Sequence, residues 1–80
     1  MDLDEQSIER AVADRIEASK VEVALDGNRA LLTVVSDEFA PLSRVQKQQK
    51  VYACIEEFIR DGRLHAVTIR ALTPEEAGSV

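Results

Sequence analysis

Few residues in this chain could do chemistry, and their spacing limits what that chemistry is. His65 is the only histidine. A neutral imidazole at the end of an element can present one nitrogen to solvent as a metal ligand. One histidine cannot hold a metal alone, so that role requires a partner protein. The alternative is an ordinary half-buried, hydrogen-bonded strand histidine, because His65 shares the parity of Val67 and Ile69. Cys54 is the only cysteine, which excludes an intramolecular disulfide. It falls between Val51 and Phe58 on an apolar helical stripe, where a thiol acts as a small hydrophobe; a redox or ligand role is the alternative. Glu56-Glu57 and Glu75-Glu76 are adjacent carboxylates on helices, and adjacent helical positions do not face one substrate atom. There is no P-loop, no G-x-G-x-x-G, no C-x-x-C and no nucleophile with a matching base. An enzyme is not expected.

Arg44, Lys47 and Lys50 fall within about 120° of one helix. Gln46, Gln48 and Gln49 interleave with them, and no acid lies between Phe39 and Cys54. This patch could meet phosphates weakly, accept an acidic partner, or be an ordinary solvated helix start. Bases there oppose the helix dipole, which favours a functional reason. The chain as a whole is acidic, with 15 Asp and Glu against 10 Lys and Arg and a net charge of −5. Bulk charge therefore disfavours sequence-independent nucleic-acid binding.

The elements that must position these groups are legible from periodicity. Residues 2–19 read as a helix: Ile8, Val12 and Ile16 recur every four residues, and Asp2 with Glu5 has capping-box spacing. Residues 20–25 alternate, with Val21, Val23 and Leu25 on one face of a half-buried strand. Asp26-Gly27-Asn28-Arg29 supplies a hairpin turn, by a two- or a four-residue loop. Residues 30–36 return, and Ala30, Leu32 and Val34 join the face of Val21 and Val23. Residues 37–43 form a loop ending in Ser43, an N-cap for a second helix over residues 44–61. Gln48, Val51, Tyr52, Ile55, Phe58 and Ile59 make its inner stripe, and Gly62 ends it. Residues 64–72 form a third strand. Thr73, Pro74 and Glu76 then start a single helical turn that Gly78 stops.

The order is helix, strand, strand, helix, strand, short helix, in one domain over residues 1–80. The second helix crosses between two strands, so those strands run parallel. The fold class is α+β: a three-stranded mixed sheet with helices on one face. No segment is long and apolar enough to cross a membrane. The acidic N-terminus lacks an apolar core, so no signal peptide is expected and the cytoplasm is the expected compartment.

Three stretches together resemble the BolA family, within it the bacterial IbaG-like branch. They are residues 39–52 (F-A-P-L-S-R-V-Q-K-Q-Q-K-V-Y), 64–69 (L-H-A-V-T-I) and 73–76 (T-P-E-E), and residues 32–36 (L-T-V-V-S) also fit. The resemblance implies a fold similar to the class II KH domain and no enzymatic activity. It implies a stress-related protein, linked in this branch to acid stress. Its implied partner is a monothiol glutaredoxin, with which it would share a 2Fe–2S cluster; alone it would hold none. His65 is then a cluster ligand. The resemblance puts a second ligand just after the Asp-Gly turn, where this chain carries Arg29, a permanently protonated side chain. Arg29 would act on the cluster only from a second layer. The family's other description is a DNA-binding transcriptional regulator, which here would use Arg44, Lys47 and Lys50. Alone the chain would be a monomer or weak homodimer.

Overall fold

The computed structural model describes residues 4–78. Helix α1 spans Glu5–Ala13, strand β1 Lys20–Asp26 and strand β2 Arg29–Val35. A 3-10 turn over Asp37–Phe39 precedes helix α2, Arg44–Arg60; strand β3, Ala66–Leu72, and helix α3, Pro74–Gly78, complete the chain. The sheet order is β1-β2-β3, with β1 and β2 antiparallel and β2 and β3 parallel. This is the expected α+β topology, with α2 as the crossover. Asp26 pairs with Arg29, so the loop has two residues, and Gly27 takes the positive φ of 61° that it needs.

The core lies on one face of the sheet. Ile8, Val12 and Ile16 meet Ala30, Leu32 and Val34 of the central strand, and Val51, Cys54, Ile55 and Phe58 close it from α2. The register sets Val21 beside Val34, Val23 beside Leu32 and Leu25 beside Ala30, the shared face that alternation predicts. Tyr52 departs from its expected place on the inner stripe: it is exposed, beside Ile69 and Gln49. The buried stripe runs through positions 51, 54, 55 and 58, and Tyr52 sits just outside it.

The first helix is shorter at both ends than periodicity suggests. Asp4 is its N-cap, accepting from the Ser7 backbone N–H at 2.7 Å; the Asp2 cap lies outside the described residues. Helix-type bonds still reach the Ile16 N–H, which donates to Val12 O at 2.9 Å, and beyond it the chain is drawn away by the sheet and its following turn. Glu17 N–H donates to Glu38 Oε2 at 2.6 Å, the Ser36 hydroxyl donates to Glu17 O at 2.8 Å, and Ser19 N–H donates to Val35 O at 2.9 Å. These partners replace the helical ladder. The 3-10 turn, expected as plain loop, buries Phe39 at 1% exposure.

The later caps follow the sequence. Ser43 and Gln46 satisfy each other reciprocally at the start of α2, and Thr73 and Glu76 do so at α3. Each long helix also sends one side chain to an edge strand. Glu5 Oε2 accepts from Leu25 N–H of β1 at 3.0 Å, and Gln48 Nε2 donates to Ile69 O of β3 at 2.7 Å. Both free edges of the sheet are thereby blunted against strand pairing.

Candidate functional site

The corner that presents His65 is built by the end of α2. Asp61 caps that helix, and Gly62, at φ 85°, reverses the chain. Leu64 N–H then donates to Phe58 O at 2.9 Å, and the Leu64 side chain enters the core at 1% exposure. Arg63 closes the turn from outside. Its guanidinium lies 4.6 Å above the Phe58 ring and pairs with Asp61 at 2.7 Å. The Arg63 hydrogen bond holds the Asp61 carboxyl below its ordinary range.

With Leu64 anchored inward, His65 turns out to solvent. It is exposed and sits in a bend one residue before β3 begins. The half-buried strand histidine suggested by parity is therefore not what forms. Alternation does not reach position 65, because the strand starts at Ala66 and Leu64 fills the core instead.

The backbone of His65 is fixed although its ring is free to reach outward. Its N–H donates to the Asn28 carbonyl oxygen at 2.8 Å, and Ala66 N–H shares the same acceptor at 3.4 Å. Asn28 is the second loop residue of the hairpin. Arg29 follows it and registers with Ala66 across the parallel pair. Two positions far apart in sequence thus meet at one end of the sheet. Sequence reasoning missed the part played by Asn28. The available signal was the two-residue loop, which points a turn carbonyl at whatever strand lies beside β2.

The donor set at this corner is narrow. His65 can offer one imidazole nitrogen. Arg29 is exposed and offers hydrogen-bond donors and positive charge but no lone pair for a metal. Among the described residues no group of three or more His, Cys, Asp or Glu could hold a metal ion. Within this chain the corner's contribution to a metal group is limited to one imidazole nitrogen. The corner does not fit a resident centre.

Cys54 does not join it. It lies in the core cluster at 9% exposure, with its Sγ donating to Lys50 O at 3.5 Å. Burial pushes the thiol pKa up, against smaller opposing effects of Arg15 and Lys50. A thiol held protonated in an apolar setting is a poor nucleophile and a poor ligand.

The basic start of α2 looks different in space than along the chain. Lys47 Nζ pairs with Glu76 Oε1 of α3 at 3.2 Å, and Lys50 Nζ pairs with Glu38 Oε1 at 3.0 Å. The acids absent from the local sequence arrive from the 3-10 turn and from α3. Among the described residues Arg44 is the member of this patch that stays exposed with no ion pair. Glu38 is the linking residue: it accepts from Lys50 with one oxygen and from Glu17 N–H with the other, and both hold its pKa down, Lys50 the more.

A groove of about 320 Å³ runs between α2 and β3, lined by Gln48, Gln49, Tyr52, Ala53, Glu56 and Ile69. Its one ionisable acid, Glu56, is already paired with Arg60 at 2.6 Å. Among the described residues no buried side-chain nitrogen or oxygen lacks a partner, so no orphaned polar group marks an enclosed ligand cavity. No described helix is long and apolar enough to cross a membrane.

A helix, a hairpin, a crossover helix and a parallel third strand make up the architecture of this chain. Solved structures share it. BolA1 from Arabidopsis thaliana has a TM-score of 0.81 over 95% of this chain and 98% of its own, at 22% identity. A bol-like protein from Babesia bovis has a TM-score of 0.85 over 96% of this chain and 92% of its own, at 18% identity. The family model described as BolA-like protein matches residues 11–76. Acid stress protein IbaG from Escherichia coli strain K12 is 36% identical over 74 residues, 92% of this chain and 88% of the relative. The chain belongs to the BolA family, and it is an IbaG-like member of it.

Proposed function

We propose that this chain is a non-enzymatic stress-response adaptor. It docks a monothiol glutaredoxin and takes part in iron–sulfur cluster handling, with His65 supplying one imidazole nitrogen. The observation that carries this reading is the His65 corner itself, an exposed ring on a backbone pinned to the Asn28 carbonyl oxygen at 2.8 Å, with Arg29 beside it. A 2Fe–2S cluster, when shared, brings thiolate-rich redox and cluster-transfer chemistry whose thiolates come from the partner. This chain's share is positional. The Leu64 anchor and the Asn28 carbonyl hold the ring at the sheet end, and the Arg29 guanidinium favours an anionic group there.

Similarity to an acid stress protein supports the stress-related part of the reading. The alternative, a DNA-binding regulator using Arg44, Lys47 and Lys50, draws little support from a patch in which both lysines are ion-paired. The test is reconstitution. Purified chain is mixed with a monothiol glutaredoxin, with and without iron and sulfide, and complex formation is followed by gel filtration and visible absorption. The proposal predicts a heterodimer whose absorption differs from that of the glutaredoxin alone. Absence of any complex under both conditions contradicts it.

A further inference from the structure

Among the described residues, the outer face of the sheet, opposite the helices, is open around Leu31, while Val35 at one end of it is buried. Leu31 stands at its centre, 41% exposed, between Ala24 of β1 and Thr68 of β3. Small side chains flank it, so its apolar surface is accessible from above. One row along, Glu22, Thr33 and Arg70 register across the three strands, with opposite charges on the two outer strands; Glu22 also pairs with Lys20 of its own strand at 3.0 Å, an exposed pair that an incoming guanidinium can share. In the row at the other side of Leu31, Asp26, Arg29 and Ala66 register in the same way. Glu22, Arg70, Asp26 and Arg29 are all exposed.

This pattern is complementary to itself. A twofold axis parallel to β2, set between two stacked sheets, lays β2 over β2 and each β1 over the partner's β3. Rows are preserved. Leu31 of one copy then meets Leu31 of the other. Each Glu22 falls over an Arg70, twice, by symmetry. The two Arg29 residues face each other across the axis, and each has its own Asp26 on one side and the second copy's Asp26 on the other, whose carboxylates offset the like charge. The twist of three strands suits such aligned stacking at about 10 Å.

Other modes of self-association are blocked or unfavourable. The edges are occupied by Glu5 and Gln48. The net charge of −5 opposes association on any surface that does not bring opposite charges together. We infer that the chain self-associates weakly and reversibly through this outer sheet face, about a twofold axis, with Leu31 at the centre and Glu22–Arg70 pairs at the flanks. The face is small. Three strands about 4.8 Å apart and seven residues of about 3.3 Å give a footprint well below the roughly 800 Å² per partner of a stable dimer. The association is therefore a high-concentration equilibrium.

The test uses the chain alone in sedimentation velocity and in amide NMR spectra over a concentration series. The expected result is a monomer–dimer equilibrium, with concentration-dependent shifts confined to the outer-face residues of β1, β2 and β3. Arg70→Glu should weaken the dimer about tenfold or more. The double variant Glu22→Arg with Arg70→Glu should restore it, which a merely misfolded variant would not do. Leu31→Asp should abolish it. A strictly monomeric chain at millimolar concentration overturns the inference. So do shifts mapping to the helices or sheet edges, or dimerisation unaffected by Arg70→Glu.

Discussion

The His65 backbone N–H and the Asn28 carbonyl oxygen are 2.8 Å apart, and this bond joins the start of β3 to the tip of the β1–β2 hairpin. Without it, the exposed ring would hang on the turn after Gly62. With it, the ring's position depends on the loop geometry two residues before Ala30. That loop depends in turn on Gly27, whose φ of 61° costs an L-residue energy that glycine does not incur.

Gly27→Ala tests this dependence. An added Cβ would meet nothing within 4 Å, so the cost is conformational and not steric. We expect a loss of about 1–2 kcal/mol, read as a fall of several degrees in Tm. The His65 amide should exchange faster with solvent, because the acceptor that protects it is displaced. A stability change with unaltered His65 exchange would separate the hairpin from the corner.

Cys54→Ala and Cys54→Ser test whether the thiol is only packing. Cys54→Ser places a hydroxyl in the core, at about 1–3 kcal/mol if it finds no partner. The Lys50 carbonyl, 3.5 Å from the sulfur, can accept from it and should keep the loss near the lower end. Cys54→Ala should lose less than a large-to-small aliphatic change at Ile55, and should leave complex formation with glutaredoxin intact. Thiol labelling of the folded chain should be slow, since burial raises the pKa. Fast labelling, or loss of the complex in Cys54→Ala, would assign the thiol a reactive role.

Glu38→Gln tests the acid limb of stability. Glu38 has a folded pKa below its ordinary 4.5, chiefly through Lys50 and then through Glu17 N–H. A depressed carboxylate binds fewer protons when folded than when unfolded. Its stabilisation is present above the unfolded value and is lost as pH falls through the folded one. Glu38→Gln should therefore lower Tm at pH 7, and the gap from the parent should close as pH drops below about 4. Between pH 7 and pH 5 the parent should lose little stability through this residue. A gap that stays constant down to pH 3 would show that Glu38 acts by shape alone.

Nucleic-acid binding follows from the same pairs. Three free cations would give a log–log salt slope of about −3, but with Lys47 and Lys50 paired a slope near −1 or shallower is expected. Combining Glu38→Gln with Glu76→Gln releases both lysines and should tighten and steepen the binding, measured by fluorescence anisotropy on a duplex. A tight, sequence-selective complex of the parent chain at moderate salt would favour the regulator reading over the adaptor.

The element order and parallel pair were legible because they follow from periods of two and about four and from short capping motifs. Ser43 with Gln46 and Thr73 with Glu76 act as their local spacing says. What the sequence did not disclose was contact between distant segments. The helical stripe runs through Ile16, yet just beyond it the backbone of Glu17 and Ser19 is taken by Ser36, Glu38 and Val35. The basic patch read as open because no acid lies near it in sequence, and Glu38 and Glu76 reach it only in the fold. His65 read as inward by parity, and a strand that begins at Ala66, two residues later than expected, leaves it outside the alternation. The resemblance, more than the pattern, marked His65 and Arg29 as a pair; the register sets Arg29 against Ala66, the residue after His65.

The most direct test of the account is the spectrum of the reconstituted complex with His65→Ala. The parent chain, mixed with a monothiol glutaredoxin, iron and sulfide, is compared with His65→Ala and with Arg29→His by visible circular dichroism and by the rate of cluster loss. The account predicts that His65→Ala keeps its fold, and loses the spectral features that distinguish the complex from holo-glutaredoxin. Arg29→His, by adding a second imidazole beside the first, should slow cluster loss. A His65→Ala complex with the parent's spectrum and lifetime would contradict the ligand role, and with it the proposal that this corner is where the protein works.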